Sequence, residues 1–225
     1  RDLVSRANKH LSQLKEQGLL PYRMYGLETY CPHCDFKGYK KPDEEDRALF
    51  ERARQRFEAE RPALDLPEDE IPIGLSTSVE HDLFGHGFGK WTDLFNERQL
   101  LLLARLRDAI LTVEDDNARE YLLLAWSEAI EYYSMLVSYQ AGSGKTRGTF
   151  STHAFVPKLT STEGNLWGAK YGRNTFQNEH ALIQDAMEWA RQPGDNFFLT
   201  DDEYLKIPID ERLFPLQGER LLFCR

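Results

Sequence analysis

The chain has 225 residues, 41% hydrophobic and 12% aromatic, enough apolar side chain to build one large domain or two small ones. Charged residues make up 29% and the net charge is −9, which argues against a simple nucleic-acid-coating protein. No apolar run approaches the roughly 20 residues of a membrane-spanning helix, and residues 1–10 lack the apolar stretch of a signal peptide. Three cysteines, two of them in one turn, do not make a disulfide framework, so a reducing, cytoplasmic setting is expected.

Leu3, Val4, Ala7, Leu11 and Leu14 recur at helical spacing, and Gly18 stops the helix they predict. Residues 19–30 read as extended. A turn carrying Cys31 and Cys34 follows. Asp43 is placed to cap a helix running to about Glu60, with Leu49, Phe50, Ala53 and Phe57 as its apolar stripe. Residues 61–78 hold three prolines and read as a connector or wrapping loop; residues 84–90 read as a flexible, Gly-rich loop. Asn96 with Gln99 forms a capping box before a helix over 100–112.

Asp115 or Asp116 starts a second long helix, expected to reach about Gln140 and to end at Ala141-Gly142-Ser143-Gly144. Its Leu, Trp, Ile, Tyr and Met content predicts a buried central helix, packed antiparallel on the preceding one. Residues 143–176 read as loop with short extended pieces. Asn178 is placed to cap a helix to about Gln192, ended by Pro193-Gly194. Thr200 with Glu203 forms a further cap signature, and Leu221 to Cys224 reads as a short buried strand. The expected fold is α+β and predominantly α-helical. It has a central antiparallel helix pair, a zinc-knuckle element and a loop-rich basic segment, divided as 1–78 and 79–225.

The Cys31-Pro32-His33-Cys34 turn has the spacing of half a structural zinc site. Such a turn points two thiolates at one tetrahedral ion, and two further ligands must come from elsewhere. His81 and His86, five apart in the Gly-rich stretch, are candidates for that role; two incidental thiols or a redox pair are the other readings of the cysteines. Gly142-Ser143-Gly144-Lys145-Thr146 imitates the end of a phosphate-binding loop. The full motif needs glycine where Tyr139 stands, and a strand before it, so nucleotide binding is rejected.

Charge is unevenly distributed. Residues 43–70 carry eleven Asp/Glu against five Arg, whereas 141–173 carry five Lys/Arg against one Glu. In the basic stretch Lys145, Arg147, His153, Lys158, Lys170 and Arg173 lie among Phe150, Phe155, Trp167 and Tyr171. Cations position phosphates and aromatic rings stack on splayed bases. A partly buried aromatic loop with a basic rim is the competing reading. No Ser/His/Asp or Cys/His arrangement, SAM-binding glycine loop or Asp-Pro-Pro-Tyr tetrapeptide is present in these residues.

Several stretches, taken in order, resemble the large adenine-specific DNA methylases found near genome-defence genes. They are Leu20-Pro21-Tyr22-Arg23-Met24-Tyr25-Gly26-Leu27-Glu28 running into the cysteine turn, and Gly38-Tyr39-Lys40-Lys41-Pro42-Asp43-Glu44. Further on come Phe95-Asn96-Glu97-Arg98-Gln99-Leu100-Leu101, His153-Ala154-Phe155 and Asn165-Leu166-Trp167-Gly168. The closing Gly218 to Arg225 is similar to what precedes the catalytic tetrapeptide in that family. Asp35 departs from the glycine usual after the knuckle. The resemblance implies an insert of an adenine-N6 methyltransferase, with S-adenosylmethionine bound only by the intact enzyme. It implies DNA, the remainder of the methyltransferase and other defence proteins as partners, and no membrane. Its expected DNA contacts are Lys145, Arg147, His153, Lys158, Asn165, Trp167, Lys170 and Arg173, with Arg147 or Asn165 reading a base edge, and its expected zinc ligands are Cys31 and Cys34. The alternative from another class is a non-catalytic, zinc-stapled helical module that binds a protein, which the acidic 43–70 stretch and the net charge favour.

Overall fold

The computed structural model describes residue 13 and residues 23–31, 33–142, 145–158, 161–168, 174–191, 194–198 and 204–208. Helices and small antiparallel sheets alternate along them, a mixed α+β chain. It divides into two units, Arg1–His180 and Ala181–Arg225. The helix expected over residues 2–17, the Thr200/Glu203 signature and the strand expected at Leu221–Cys224 lie outside the described residues, Gln13 apart.

The first unit opens with a hairpin of β1 (Leu27–Tyr30) and β2 (Lys37–Lys40), in register from Leu27 opposite Lys40 to Tyr30 opposite Lys37. Helix α1 (Glu44–Glu60) follows. Asp43 caps it as expected: Asp46 N–H donates to the Asp43 carboxylate at 3.0 Å, and Asp43 N–H donates back to Asp46 at 2.9 Å. Glu44, Glu45 and Asp46 add negative charge where the helix dipole is positive. Arg54 pairs with Glu51 and Glu58 on one side of the helix and Arg56 with Glu60 on another, each three or four residues apart. Of the expected stripe only Phe57 is fully buried, a contribution of about 1.5–3 kcal/mol, and Leu49 is exposed.

Residues 61–96 do more than connect. Ile71 and Leu83 are fully buried and join Leu94 and Leu136 in one apolar cluster, with Phe88, Trp91, Phe95 and Phe155 around it. Ile71 N–H donates to Gly89 O at 2.8 Å, and a bridge pairs Glu70 with Lys90. The Gly-rich stretch expected to be a flexible loop is a hydrogen-bonded turn around Leu83, whose carbonyl accepts from His86 and Phe88.

Helix α2 (Glu97–Leu111) starts at the predicted Asn96–Gln99 capping box, and α3 (Asp116–Glu131) starts at Asp115. The two pack as an antiparallel hairpin: Trp126 Nε1 donates to Leu103 O at 3.1 Å, and Leu103 clusters with Ala129, Tyr133 and Leu166. Helix α1 packs on α2 in the same direction, because Phe50 meets Arg98 at one end and Glu60 meets Arg105 at the other.

The expected continuation of α3 to Gln140 is corrected. The helix ends at Glu131, and the buried side chains of Tyr133, Leu136 and Val137 belong to the turn after it. In a longer helix Met135 N–H would donate to Glu131 O. Instead it donates to Leu94 O at 2.7 Å, while Glu131 O accepts from Thr149 N–H and Oγ1. Gln99 Nε2 claims Tyr133 O at 2.6 Å, a second carbonyl the helix would have used. Strands β3 (Ser138–Gln140) and β4 (Lys145–Arg147) then pair antiparallel, so Gly142 follows a strand rather than a helix end.

Helix α4 (Phe176–Arg191) begins two residues before the expected Asn178. Thr175 stands in the capping place, with Asn178 N–H donating to its hydroxyl at 3.4 Å. In the second unit β5 (Gly194–Phe198) and β6 (Tyr204–Pro208) pair antiparallel, from Gly194 opposite Pro208 to Phe198 opposite Tyr204.

Candidate nucleic-acid interface

The first unit carries an open cleft of about 750 Å³. Its walls are Glu28 and Lys37 of the β1–β2 hairpin, Arg98 and Arg105 of α2, Tyr132 and Tyr133 after α3, Tyr139 and Lys145 of the β3–β4 hairpin, and residues 162–167. Four cations face two carboxylates, so the cleft is locally positive in a chain of charge −9.

Two pairs of contacts hold these pieces together. Tyr39 and Tyr139 share a 2.6 Å hydroxyl hydrogen bond and an edge-on ring contact, which ties the first hairpin to the second. Beneath, Glu163 accepts from Asn96 Nδ2 at 2.8 Å and from Arg98 Nε at 2.7 Å. Burial pushes the Tyr133 hydroxyl far above its usual range, and the nearby Glu163 carboxylate adds to that. Burial also raises the Tyr139 hydroxyl, helped by its bond to Tyr39. Both phenols are therefore protonated at neutral pH.

Most of the cleft cations are already engaged. Lys37 lies 3.2 Å from Glu28, Arg98 pairs with Glu163, and Arg105 lies 2.6 Å from Glu60. Lys145 has no ion pair among the described residues and is partly exposed. Trp167 is 56% exposed; one face stacks on Phe176 at 5.7 Å between ring centroids and 29° between planes. The Thr162 hydroxyl in the same wall is buried and has no hydrogen-bond partner among the described residues.

Of the residues expected to contact DNA, the fold gathers Lys145, Asn165 and Trp167 at this cleft. Arg147 is two residues along β4 from Lys145, hence on the same strand face, but does not line it. His153 and Lys158 belong to a different stretch, in which Phe155 packs on Phe150 and Trp91 against the Ile71 cluster. Lys170 and Arg173 lie outside the described residues. The Asn165 amide is spent locally: it donates to Gly168 O and accepts from Gly168 N–H, each at 3.1 Å, so it shapes the loop beneath Trp167. Sequence reasoning missed Lys37, Arg98 and Arg105. Arg98 and Arg105 sit seven apart on one helix face, a spacing visible in the sequence, but nothing there says that this face meets a cleft.

The cysteine turn closes the first hairpin. Cys31 N–H donates to Phe36 O at 2.9 Å. The Cys34 backbone N–H, the Cys34 side chain and the His33 N–H all point at the Cys31 sulfur and lower its thiol pKa. Asp35 has φ of 57°, in the left-handed region that a glycine would occupy freely and aspartate tolerates. The Tyr30 hydroxyl donates to its carboxylate at 3.1 Å. Two thiols with amide donors on one sulfur suit zinc, which binds thiolates. Among the described residues no third His, Cys, Asp or Glu joins them, and His81 and His86 do not.

Compared with protein families, curated proteins and solved structures, the chain matches none. No helix among the described residues is long and apolar enough to cross a membrane.

Proposed function

We propose that this chain is the DNA-gripping part of a SAM-dependent adenine-N6 DNA methyltransferase, with the methyl transfer performed by segments outside these 225 residues. The observation that carries the reading is Trp167, an aromatic platform stacked on Phe176 yet 56% exposed, lining a locally positive cleft with Lys145, which has no ion pair among the described residues. Stacking rings next to cations are what nucleic acid offers bases and phosphates to. Cys31 and Cys34 would hold two of the four positions of a structural zinc ion, whose bonds would fix the hairpin that bounds the cleft.

A second reading, a protein-binding module, is favoured by Ile73, Leu75 and Val79. These stand 85, 66 and 73% exposed beside the acidic stretch. One titration separates the two. Replacing Lys145 and its strand neighbour Arg147 by glutamine is expected to lower DNA affinity and to flatten its salt dependence by about one unit of slope per lost phosphate contact. Unchanged affinity and slope in a fluorescence-anisotropy titration would sink the DNA reading.

A further inference from the structure

We infer that the Trp167 cleft holds an unpaired nucleotide, one base against the tryptophan face and its phosphate at Lys145, rather than the backbone of an intact duplex. The inference rests on the nucleic-acid reading and narrows it to a ligand class.

Three observations carry it. The first is size. A cleft of about 750 Å³ lies within the roughly 300–1,000 Å³ of sites that enclose a small ligand, room for one or two nucleotides. A duplex instead spreads over about 1,000–2,500 Å² of protein surface. The second is charge. Lys37, Arg98 and Arg105 are already paired with Glu28, Glu163 and Glu60, which leaves Lys145 as the cation in this wall without an ion pair among the described residues. Tracking a duplex backbone takes a row of unpaired cations, because each neutralised phosphate needs one. A single lysine suits a single phosphate. The third is the ring. The Phe176 stack fixes the plane of Trp167 in advance, so a base that settles on the open face loses little side-chain entropy in the protein. That face is useful only to a base out of its own stack, since bases inside a duplex present edges and not faces.

The test uses the full chain and three labelled probes of one sequence: a single strand, a fully paired duplex, and the duplex with one bulged adenine. Anisotropy titrations are run for each across a salt series. The single-stranded and bulged probes are expected to bind more tightly than the paired duplex. Trp167→Ala should weaken those two by roughly 5- to 100-fold while leaving duplex affinity unchanged. Trp167→Leu keeps an apolar cover on Phe176 without a π-face. It should give the same loss in a protein whose circular dichroism and melting temperature match the parent, whereas Trp167→Phe should retain most of the preference. Lys145→Gln should reduce the salt slope for the unpaired probes by about 0.7. If the folded Trp167→Leu protein keeps its preference for unpaired probes, or if the parent shows none while binding all three in a salt-dependent way, the inference is wrong and the DNA reading stands. If no probe binds with salt-dependent affinity, the DNA reading itself fails and this site with it.

Discussion

Helices α1 and α2 open with the same reciprocal capping box, one at the surface and one in the core. Asp43 and Asp46 exchange bonds of 2.9 and 3.0 Å in open solvent. Asn96 and Gln99 exchange bonds of 2.8 and 2.9 Å with both residues buried, Gln99 completely. The exposed box reaches only a near neighbour in the chain, Lys40, whose Nζ lies 3.1 Å from Asp43 and 2.8 Å from Asp46. The buried one reaches on: Gln99 Nε2 binds Tyr133 O and Asn96 Nδ2 binds Glu163, which in turn holds Arg98 in the cleft wall. The same local code thus serves a helix start in one place and joins three distant segments in the other. Burial is what separates them, because water can replace a lost partner at the surface and cannot inside.

The largest effect expected from breaking this comparison is at Gln99. Gln99→Ala leaves Tyr133 O and Asn96 N–H without partners in a closed interior, about 1–3 kcal/mol each, so urea denaturation of the full chain should show a loss of about 3 kcal/mol. A loss under about 1 kcal/mol would mean that water reaches the site and that the two boxes are alike.

Glu179, in the first turn of α4, sharpens the contrast between dipole and burial. A helix N-terminus ordinarily favours a carboxylate, yet burial, with Glu128 nearby, raises the Glu179 pKa above the ordinary glutamate value of 4.5. A raised carboxyl pKa means stability present below that value and lost as pH rises through the shifted one. Glu179→Gln is therefore expected to raise the melting temperature at neutral pH, with the gain vanishing near pH 4. A gain independent of pH would exclude the ionisation as its cause.

The smallest effect is at the exposed box. Hydrogen bonds from Asp46 N–H and Lys40 hold the Asp43 pKa down at about 2 against an ordinary aspartate value of 3.8. A depressed carboxyl contributes stability above the higher value and loses it as pH falls through the lower. Asp43→Asn still caps the helix, so it should change little at pH 7 and should flatten only the acid limb between about pH 4 and pH 2. Acid melts followed by circular dichroism at the helical band would show it. A large loss at neutral pH would place Asp43 on the same footing as Gln99.

Much of the fold was legible because it is written locally. Capping residues act three positions ahead, and Asp43, Asn96 and Asp115 each start the helix their spacing predicts. The cysteine turn likewise declares itself: Tyr30 and Lys37 pair across it, and Asp35 takes the left-handed conformation the turn requires. The cleft was legible in part. Lys145 and Trp167 stand out as cation and aromatic in one basic stretch, but His153 and Lys158 share that stretch and do not reach the cleft.

Where α3 stops was not written locally. Its sequence continues helical to Gln140, and only Leu94, Gln99 and Thr149, which supply other partners for Met135, Tyr133 and Glu131, turn the chain away. Nor could the sequence tell that Ile71 and Leu83, scattered in a proline- and glycine-rich connector, would be among its most buried side chains. The sequence by itself determined where helices begin, which turn carries the paired thiols and which stretch is basic, since each depends on neighbours a few residues apart. Tertiary structure decided where α3 ends, how α1 lies along α2, and which cations of the cleft pair with carboxylates, since each depends on partners that only the folded chain brings within hydrogen-bond reach.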